Sequence, residues 1–327
     1  MTETIDNPEA ARRAPLPASF FGMVLGLSGL GQAWRVAVAL WGAPRAVGEA
    51  VLALAALIWA ILLLGYVAQA ISHPATVREE FEHPVQGGAP ALLGVSTLLI
   101  VLAVLPYSRL MAWLLAAGGI GWHLAFSLWH TGYMWQGGRD PLDDVPTLYL
   151  PTVAGNFTSA AALGALGHPD WGWLFLGSGL FSWLAIEPLI IRRLWRAEGV
   201  PAPQRPLFGI QFAPPVVCAM AWLTLVPNAA IATDHWLPMM LGYGLFQLLL
   251  GLRLKSWLGE QPFAPNYWSF TFGVAATAVS ALKLALAGVG AARALAIPVF
   301  AGANLFIGYL FIRTALLFAG RLLARLR

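Results

Sequence analysis

Apolar runs of about 20 residues recur along the whole chain, a length that matches the hydrocarbon core of a bilayer. Such runs restrict the chain to few folds. Only 10% of its 327 residues are charged, whereas soluble globular proteins carry about 25%. No long polar segment is available to form a soluble domain. The sequence therefore predicts an all-α polytopic membrane protein.

Ten transmembrane helices are predicted. They cover residues 19–40, 47–71, 89–105, 108–135, 151–166, 171–191, 208–226, 236–257, 266–287 and 294–323. Residues 1–18 are expected to form an N-terminal segment and residues 19–327 a single transmembrane domain. No small-residue cleavage site follows the first apolar run, so this run is interpreted as a helix and not as a removable signal peptide.

The basic residues of the loops predict the orientation in the membrane. Thirteen of them fall on one side and three on the other, and the side rich in Lys and Arg is normally cytoplasmic. We therefore expect both termini in the cytoplasm. The thirteen are Arg12, Arg13, Arg78, Arg139, Arg192, Arg193, Arg196, Arg205, Arg253, Lys255, Arg321, Arg325 and Arg327, and the three are Arg45, Arg109 and Arg293.

Odd-numbered and even-numbered spans differ in chemistry. The odd spans hold Gly, Ser, Thr, Asn and Gln but no Asp or Glu, and the even spans are mostly Leu, Ile, Ala and Trp. A helix pair also begins about every 60 residues, and repeated units are common in transport proteins. This favours five polar helices inside five apolar ones. The alternative is a ten-helix bundle in which small residues, as in the Gly22-x-x-x-Gly26 motif, only allow close packing.

Other functional classes leave little trace in the sequence. The basic residues that raise the isoelectric point to about 9.5 lie in short loops, so we expect no nucleic-acid partner. A phosphate-binding loop, an His-Glu-x-x-His motif and a cysteine pair are all missing, so we predict no enzyme, no cofactor and no metal site. The single Cys218 cannot form an intrachain disulfide.

Four titratable residues in the spans have alternative interpretations. His123 and His130 share a helix face and either relay protons or bind metal, or, as we favour, pack near an interface. Glu187 is the one carboxylate well inside a span and is a functional candidate by default, but we favour a structural role in which it pairs with Arg192 or another helix. Arg35 either attracts anions or extends to the headgroups.

Several motifs occur together in a familiar order. They are Phe-Phe-Gly-Met-Val-Leu-Gly at 20–26, Ala-Trp-Arg at 33–35, His-Pro-Val at 83–85, Leu-Tyr-Leu-Pro-Thr-Val-Ala at 148–154, Gly-Ile-Gln at 209–211, Gly-Tyr-Gly at 242–244 and Trp-Ser-Phe-Thr-Phe-Gly at 268–273. In these motifs the chain resembles the tellurite-resistance/dicarboxylate transporter family, which includes the bacterial TehA proteins and is related to plant slow-type anion channels.

This resemblance implies a fold of five helix hairpins around a central pore lined by the odd helices, in a homotrimer with one pore per subunit. It also implies that a Phe of the ninth helix plugs the pore. The matched motif places this gate at Phe272, and Phe270 is the alternative. The predicted pore lining comprises Gly26, Ser28, Ser96, Thr97, Asn156, Phe157, Ser159, Pro214 and Gly273.

The expected function is passage of small inorganic or organic anions, tellurite among them, through a channel of the bacterial inner membrane. Its expected partners are those anions and membrane lipid. A pore without Asp or Glu presents no repulsive barrier to anions, and weak hydrogen bonds favour anions that lose water easily. The alternative is a proton-coupled dicarboxylate or oxyanion transporter or efflux carrier. A third possibility is a structural or sensor subunit that transports nothing.

The predicted orientation can be tested with reporter fusions after Arg327. A reporter active only in the cytoplasm should function there, because the loop charges place the C-terminus on that side. A reporter active only in the periplasm should stay silent. The opposite pair of results would overturn the ten-span topology.

Overall fold

The structure is a computed structural model that describes residues 16–326, with side chains described as far as residue 320. Most of the predicted N-terminal segment 1–18, with Arg12 and Arg13, lies outside the described residues, as does Arg327. Residues 16–326 are nearly all helical and contain no β-strand, as expected for a chain that must satisfy its backbone hydrogen bonds within lipid.

Twelve α-helices follow one another along the chain. They are α1 (Gly22–Trp41), α2 (Arg45–Ser72), α3 (Pro74–Glu82), α4 (Ala91–Val104), α5 (Arg109–Trp135), α6 (Gly155–Ala165), α7 (Pro169–Leu194), α8 (Pro214–Leu225), α9 (Trp236–Arg253), α10 (Lys255–Leu258), α11 (Thr271–Leu286) and α12 (Gly290–Leu326).

Seven helical segments of the described chain are long and apolar enough to cross a membrane. They contain α1, α2, α5, α7, α8, α11 and α12. The α-helices found at the third and fifth predicted spans are shorter than predicted: α4 has 14 residues and α6 has 11. The eighth predicted span ends early, since α9 stops at Arg253 and the short α10 follows.

Part of the missing length lies in 3₁₀ and π-helical segments that precede four of the inner α-helices. A 3₁₀ helix (Ala18–Phe21) leads into α1, a π-helix (Leu150–Ala154) into α6, and 3₁₀ helices (Ala202–Phe212 and Pro265–Phe270) into α8 and α11. Each of these segments has a proline at or next to its first residue. Proline is accommodated there because the first N–H groups of a helix have no partner within it.

Helices adjacent in sequence pair as hairpins, and one helix of each pair faces inward. The pairs in contact are α1 with α2, α4 with α5, α6 with α7, α8 with α9, and α11 with α12. The inner members touch in the order α1, α4, α6, α8, α11 and back to α1, so they form a closed ring of five. The outer helices expose many large apolar side chains.

Glycines allow α1 and α11 to pack closely and complete this ring. A Cβ atom at Gly26 would overlap the side chain of Thr271, and one at Gly29 would lie 2.6 Å from the Cβ of Ala275. Both approaches are shorter than van der Waals contact. Gly26, which was predicted to line the pore, is thus a packing residue between two helices.

The connection 73–88 is less exposed than a simple solvated loop. It contains α3, whose Glu80 is partly buried and accepts hydrogen bonds from the Ala18 backbone N–H (2.7 Å) and the Tyr66 hydroxyl (2.8 Å). Burial raises the pKa of the Glu80 carboxyl above its ordinary value, against the opposing effect of these hydrogen bonds. Glu80 thereby connects the start of the inner helix α1 to α2 and α3.

Replacing Gly26 with Ala should destabilise the protein, because the added methyl group meets Thr271 across the α1–α11 contact. Overpacking of this kind costs about 1–3 kcal/mol. Thermal unfolding of the purified protein in detergent measures the effect. Gly118→Ala is the matched control, since a Cβ there meets nothing within 4 Å. Equal melting temperatures for the two variants would contradict this account of the ring.

Candidate functional site

A cavity of about 320 Å³ opens among the beginnings of the five inner helices. We call it the Phe272 cavity. Its wall includes Ser19, Gly22, Leu25, His83, Gln86, Leu92, Thr147, Tyr149, Leu150, Val153, Phe157, Gln204, Ile210, Pro214, Val217, Asn266, Trp268, Ser269 and Phe272. None of its lining residues is Asp, Glu, Lys or Arg, so fixed charge at this end comes from the helices themselves.

On each inner helix, the lining residue that lies farthest from the helix N-terminus is apolar. These five are Leu25, Leu92, Phe157, Val217 and Phe272, from α1, α4, α6, α8 and α11. We call them the apolar ring. Phe157 and Phe272 were predicted, whereas Leu25, Leu92 and Val217 were missed. An aliphatic residue in an apolar span carries no signal of its own, so only the helix register could have indicated them.

A second cavity of about 480 Å³ lies among the ends of the inner helices. We call it the Lys283 cavity. Its wall comprises Gln32, Arg35, Val36, Ala39, Leu102, Met220, Leu223, Thr224, Asn228, Ile231, Val279, Lys283, Leu286 and Ala287. It contains two basic residues and no acidic one, in contrast to the uncharged wall of the first cavity.

The two cavities lie one behind the other along the inner helices. The nearest lining positions on α1, Leu25 and Gln32, are seven positions apart in sequence. Those on α11, Phe272 and Val279, are also seven positions apart. On α8 the nearest lining positions, Val217 and Met220, are only three residues apart. At 1.5 Å per residue the cavities are therefore roughly 5–10 Å apart. The intervening stretch begins at the apolar ring.

The two candidate gate residues occupy different surroundings. Phe272 belongs to the cavity wall and to the apolar ring. Phe270 instead packs into an aromatic cluster, with ring centroids 5.7 Å from Phe212, 6.4 Å from Tyr267 and 6.3 Å from Phe306. Phe270 is not part of the cavity wall. Phe272 thus lines the cavity, whereas Phe270, two residues earlier, packs against other aromatic side chains.

The predicted lining residues divide into three groups. Phe157 and Pro214 line the Phe272 cavity. Gly26 and Gly273 lie at close contacts between helical segments, Gly26 against the Thr271 side chain and Gly273 against the Phe212 backbone. The remaining five are buried or bonded away from both cavities: Ser28, Ser96, Thr97, Asn156 and Ser159.

The hydrogen bonds explain why these polar residues avoid the cavities. Ser96 and Ser159 donate to carbonyl oxygens of their own helices, which satisfies a hydroxyl within an apolar environment. Thr97 accepts a hydrogen bond from the Trp59 indole of α2 (3.0 Å). Ser28 is fully buried and its Oγ has no partner among the described residues. Polarity on an inner helix therefore does not by itself indicate a lining position.

Comparison with known proteins shows to which family the chain belongs. Residues 15–315 match the family described as SLAC1, voltage-dependent anion channel. The chain belongs to the SLAC1 family. The match covers all the residues that line the two cavities.

Individual relatives are a bacterial protein and two plant channels. The chain is 33% identical over 301 residues to a tellurite resistance protein TehA homolog of Haemophilus influenzae, covering 92% of this chain and 90% of that protein. It is 25% identical to the S-type anion channel SLAH2 and 23% identical to SLAH3, both of Arabidopsis thaliana. These alignments cover 88% and 82% of this chain and 56% and 43% of the plant proteins. The chain spans about half the length of these plant channels.

Arg35 of this SLAC1-family protein is occupied by contacts within the protein. Its guanidinium forms two hydrogen bonds with the Glu49 carboxylate, at 2.9 and 2.7 Å, and donates to the carbonyl oxygens of Leu102 and Ala103 at the end of α4. Neither sequence interpretation describes this role. Arg35 instead connects α1, α2 and α4, and Glu49 offsets its charge.

The two histidines of α5 also serve contacts between side chains. His123 Nε2 lies 3.1 Å from Asn156 Oδ1 of α6, and His130 packs against Phe126 with ring centroids 5.6 Å apart. Neither histidine lines a cavity. Among residues 16–320, no three His, Cys, Asp or Glu side chains are grouped as a metal site requires.

Glu187 lies behind the wall of the Phe272 cavity and holds it in place. Its carboxylate accepts hydrogen bonds from the Tyr149 hydroxyl, the Trp183 indole and the Gln211 amide, each at 2.7 Å, and a longer one of 3.5 Å from Tyr243. These donors lie on α7, on α9 and on the segments before α6 and α8. Its partners in the described chain are therefore uncharged, and Arg192 is not among them.

Replacing Glu187 with Gln should lower stability and leave ion selectivity unchanged. The amide turns an N–H₂ group toward donors that need an acceptor, and a buried unsatisfied group costs about 1–3 kcal/mol. Melting temperature and the ratio of anion permeabilities measure the two effects. Glu79→Gln on the exposed face of α3 is the control and should change neither. Altered selectivity in well-folded Glu187→Gln protein would assign this residue to the pathway itself.

Proposed function

We propose that this protein is an anion channel in which five helix hairpins, ten transmembrane helices in all, surround a pore gated by Phe272. The pore would run from the Phe272 cavity through the apolar ring to the Lys283 cavity. Membership of the SLAC1 family and similarity to proteins named as anion channels support this proposal. The relatives' names describe channels and a resistance protein, and no enzyme is among them.

One observation supports the proposal: two cavities without acidic lining side chains lie along a closed ring of parallel helices, and the apolar ring borders the first of them. A hydrophobic constriction closes a pore by excluding water, and it opens when a side chain moves aside. Phe272 and Phe157 are the two bulky members of the apolar ring. A shift of the Phe272 ring would open the apolar ring, and the closed stretch behind it would also have to widen to connect the cavities.

The direction of the inner helices favours anions. All five begin at the Phe272 cavity, and each helix carries a partial positive charge at its N-terminus. No carboxylate in the cavity wall opposes this potential. The wall offers hydroxyl and amide groups but no fixed cation, so an anion there exchanges hydration for weak hydrogen bonds. Anions that are easily dehydrated should pass best.

The physiological setting that we propose follows the sequence interpretation. The protein would reside in the bacterial inner membrane with both termini cytoplasmic, which places the Phe272 cavity on the cytoplasmic side. The exposed apolar side chains of α2, α5, α7, α9 and α12 would face lipid or neighbouring subunits of a homotrimer. Tellurite is one candidate substrate, in line with the name of the Haemophilus relative.

Coupled transport makes a different prediction from a channel. Flux through purified protein in liposomes should follow the anion gradient and voltage, with no requirement for a pH gradient. The titratable groups first considered for proton relay, His123, His130 and Glu187, all lie outside the cavity walls. Flux that needs protons would favour the dicarboxylate transporter, and no flux from any variant would favour a structural or sensor subunit.

Phe272→Ala should strongly increase anion current with a small loss of stability. Truncating a Phe in a packed core costs about 3–5 kcal/mol, but a ring that borders a cavity loses fewer contacts. Current in planar bilayers and melting temperature measure the two effects. The comparison with wild type requires the same protein-to-lipid ratio.

Phe270→Ala is the matched control for this substitution. It removes the same side chain two residues away, from the cluster with Phe212, Tyr267 and Phe306, so it should lower the melting temperature without raising the current. A rise in current for Phe270→Ala alone would move the gate to that residue. No rise for either variant would reject the plugged-pore proposal.

A further inference from the structure

Lys283 is the one basic residue in the wall of the two cavities that the described chain leaves without a partner. It lies in the last turn of the inner helix α11 and is only partly exposed. It forms no ion pair or side-chain hydrogen bond with residues 16–320, whereas Arg35 in the same wall is held by Glu49. A protonated Lys283 would therefore add an uncompensated positive charge to the Lys283 cavity.

A second unsatisfied donor lies in the same wall. The Gln32 Nε2 atom is buried and has no hydrogen-bond partner among the described residues. Buried donors normally have a partner, and each exception requires an explanation. Gln32 and Lys283 lie on adjacent parallel helices and both line this cavity. Because Gly29 faces Ala275, the Lys283 backbone lies about five residues, or roughly 7 Å, farther along its helix than that of Gln32.

The unsatisfied donors continue from this cavity toward the gate. Ser28 precedes Gln32 by four residues and so lies on the same face of α1. Its Oγ is also buried without a described partner. Gln32, Arg35 and Ala39 extend the same face into the cavity. Ser28 is fully buried and lines neither cavity, so its unsatisfied hydroxyl lies in the closed stretch between Gln32 and the apolar ring.

We propose that Lys283 and Gln32 form a binding site for a small monovalent inorganic anion at the end of the pore opposite Phe272. The site extends the proposed channel function and rests on it for its role in conduction. One uncompensated ammonium group balances one negative charge, so a dicarboxylate would bind with a surplus charge in a mostly apolar wall.

A purely structural role for Lys283 makes a different prediction. The inner helices end at this cavity, and a cation in the last turn offsets the partial negative charge of a helix C-terminus. A lysine with that role alone would stabilise the fold equally in every salt. A binding site instead makes stability depend on the anion, because a ligand stabilises the state that binds it.

The first experiment measures binding without flux. Melting temperatures of the purified full-length protein are compared in sodium bromide and in sodium gluconate at constant ionic strength. Bromide should stabilise the wild type, and Lys283→Met should lose this difference while Lys283→Arg keeps it. Arg45→Met is the control, since Arg45 begins α2 and is 71% exposed, and its bromide effect should equal that of the wild type.

The second experiment measures conduction in the Phe272→Ala background. Adding Lys283→Met should raise the half-saturating chloride concentration roughly tenfold from the Lys283 side, since a hydrogen bond to a charged group contributes at least that factor. Chloride supplied from the Phe272 side should show a smaller change. If Lys283→Met does not fold, Gln32→Leu replaces it, with a smaller shift in the same direction.

The outcomes separate the site from the channel. Bromide stabilisation that depends on Lys283 in protein without any flux supports the site and rejects the channel. Flux through Phe272→Ala that is unchanged by Lys283→Met, with an unchanged bromide effect, supports the channel and overturns the site. Equal loss of stability in both salts leaves Lys283 with the structural role alone and also overturns the site.

Discussion

The close contact between α1 and α11 is the constraint on which the rest of the structure depends. These are the first and last inner helices, so their contact closes the ring that the other three leave open. Helices in lipid gain little from burying apolar side chains and pack through small residues instead. Gly26 and Gly29 supply that packing, and the position of Phe272 relative to Leu25 follows from the register they impose.

The tight turns before the inner helices have a consequence for the cavity. Proline lacks a backbone N–H and suits a first helical turn, so each turn places a short irregular segment at the mouth. Irregular backbone at membrane depth is tolerated where it borders a cavity or lies within the protein. The carboxylate of Glu187 and the carboxylate of Glu80 then fix these segments from behind through hydroxyl, indole, amide and backbone donors.

The sequence supported the fold further than the site. Apolar run length predicted most helices within a few residues, and the 60-residue repeat predicted the hairpin pairs, because both signals are local. It could not predict the shortness of α4 and α6, since proline-led turns keep the same apolar composition as the helix that follows. The predicted lining positions differ from the cavity walls for a different reason. Thr97 and Asn156 were chosen for polarity, yet in an apolar interior a polar group turns to the nearest partner, here Trp59 and His123.

Charge placement gives the two ends of the inner ring opposite characters. At the Phe272 cavity the helix N-termini provide a diffuse positive potential, and no Asp, Glu, Lys or Arg lines the wall. At the other end the helix C-termini provide the opposite potential, and an unpaired lysine reverses it locally. The carboxylate of Glu49 offsets the positive charge of Arg35, so Arg35 contributes little to the potential at this end. A pore that conducts needs binding strong enough to admit an ion and weak enough to release it, and one cation at one end meets both conditions better than a cation at each.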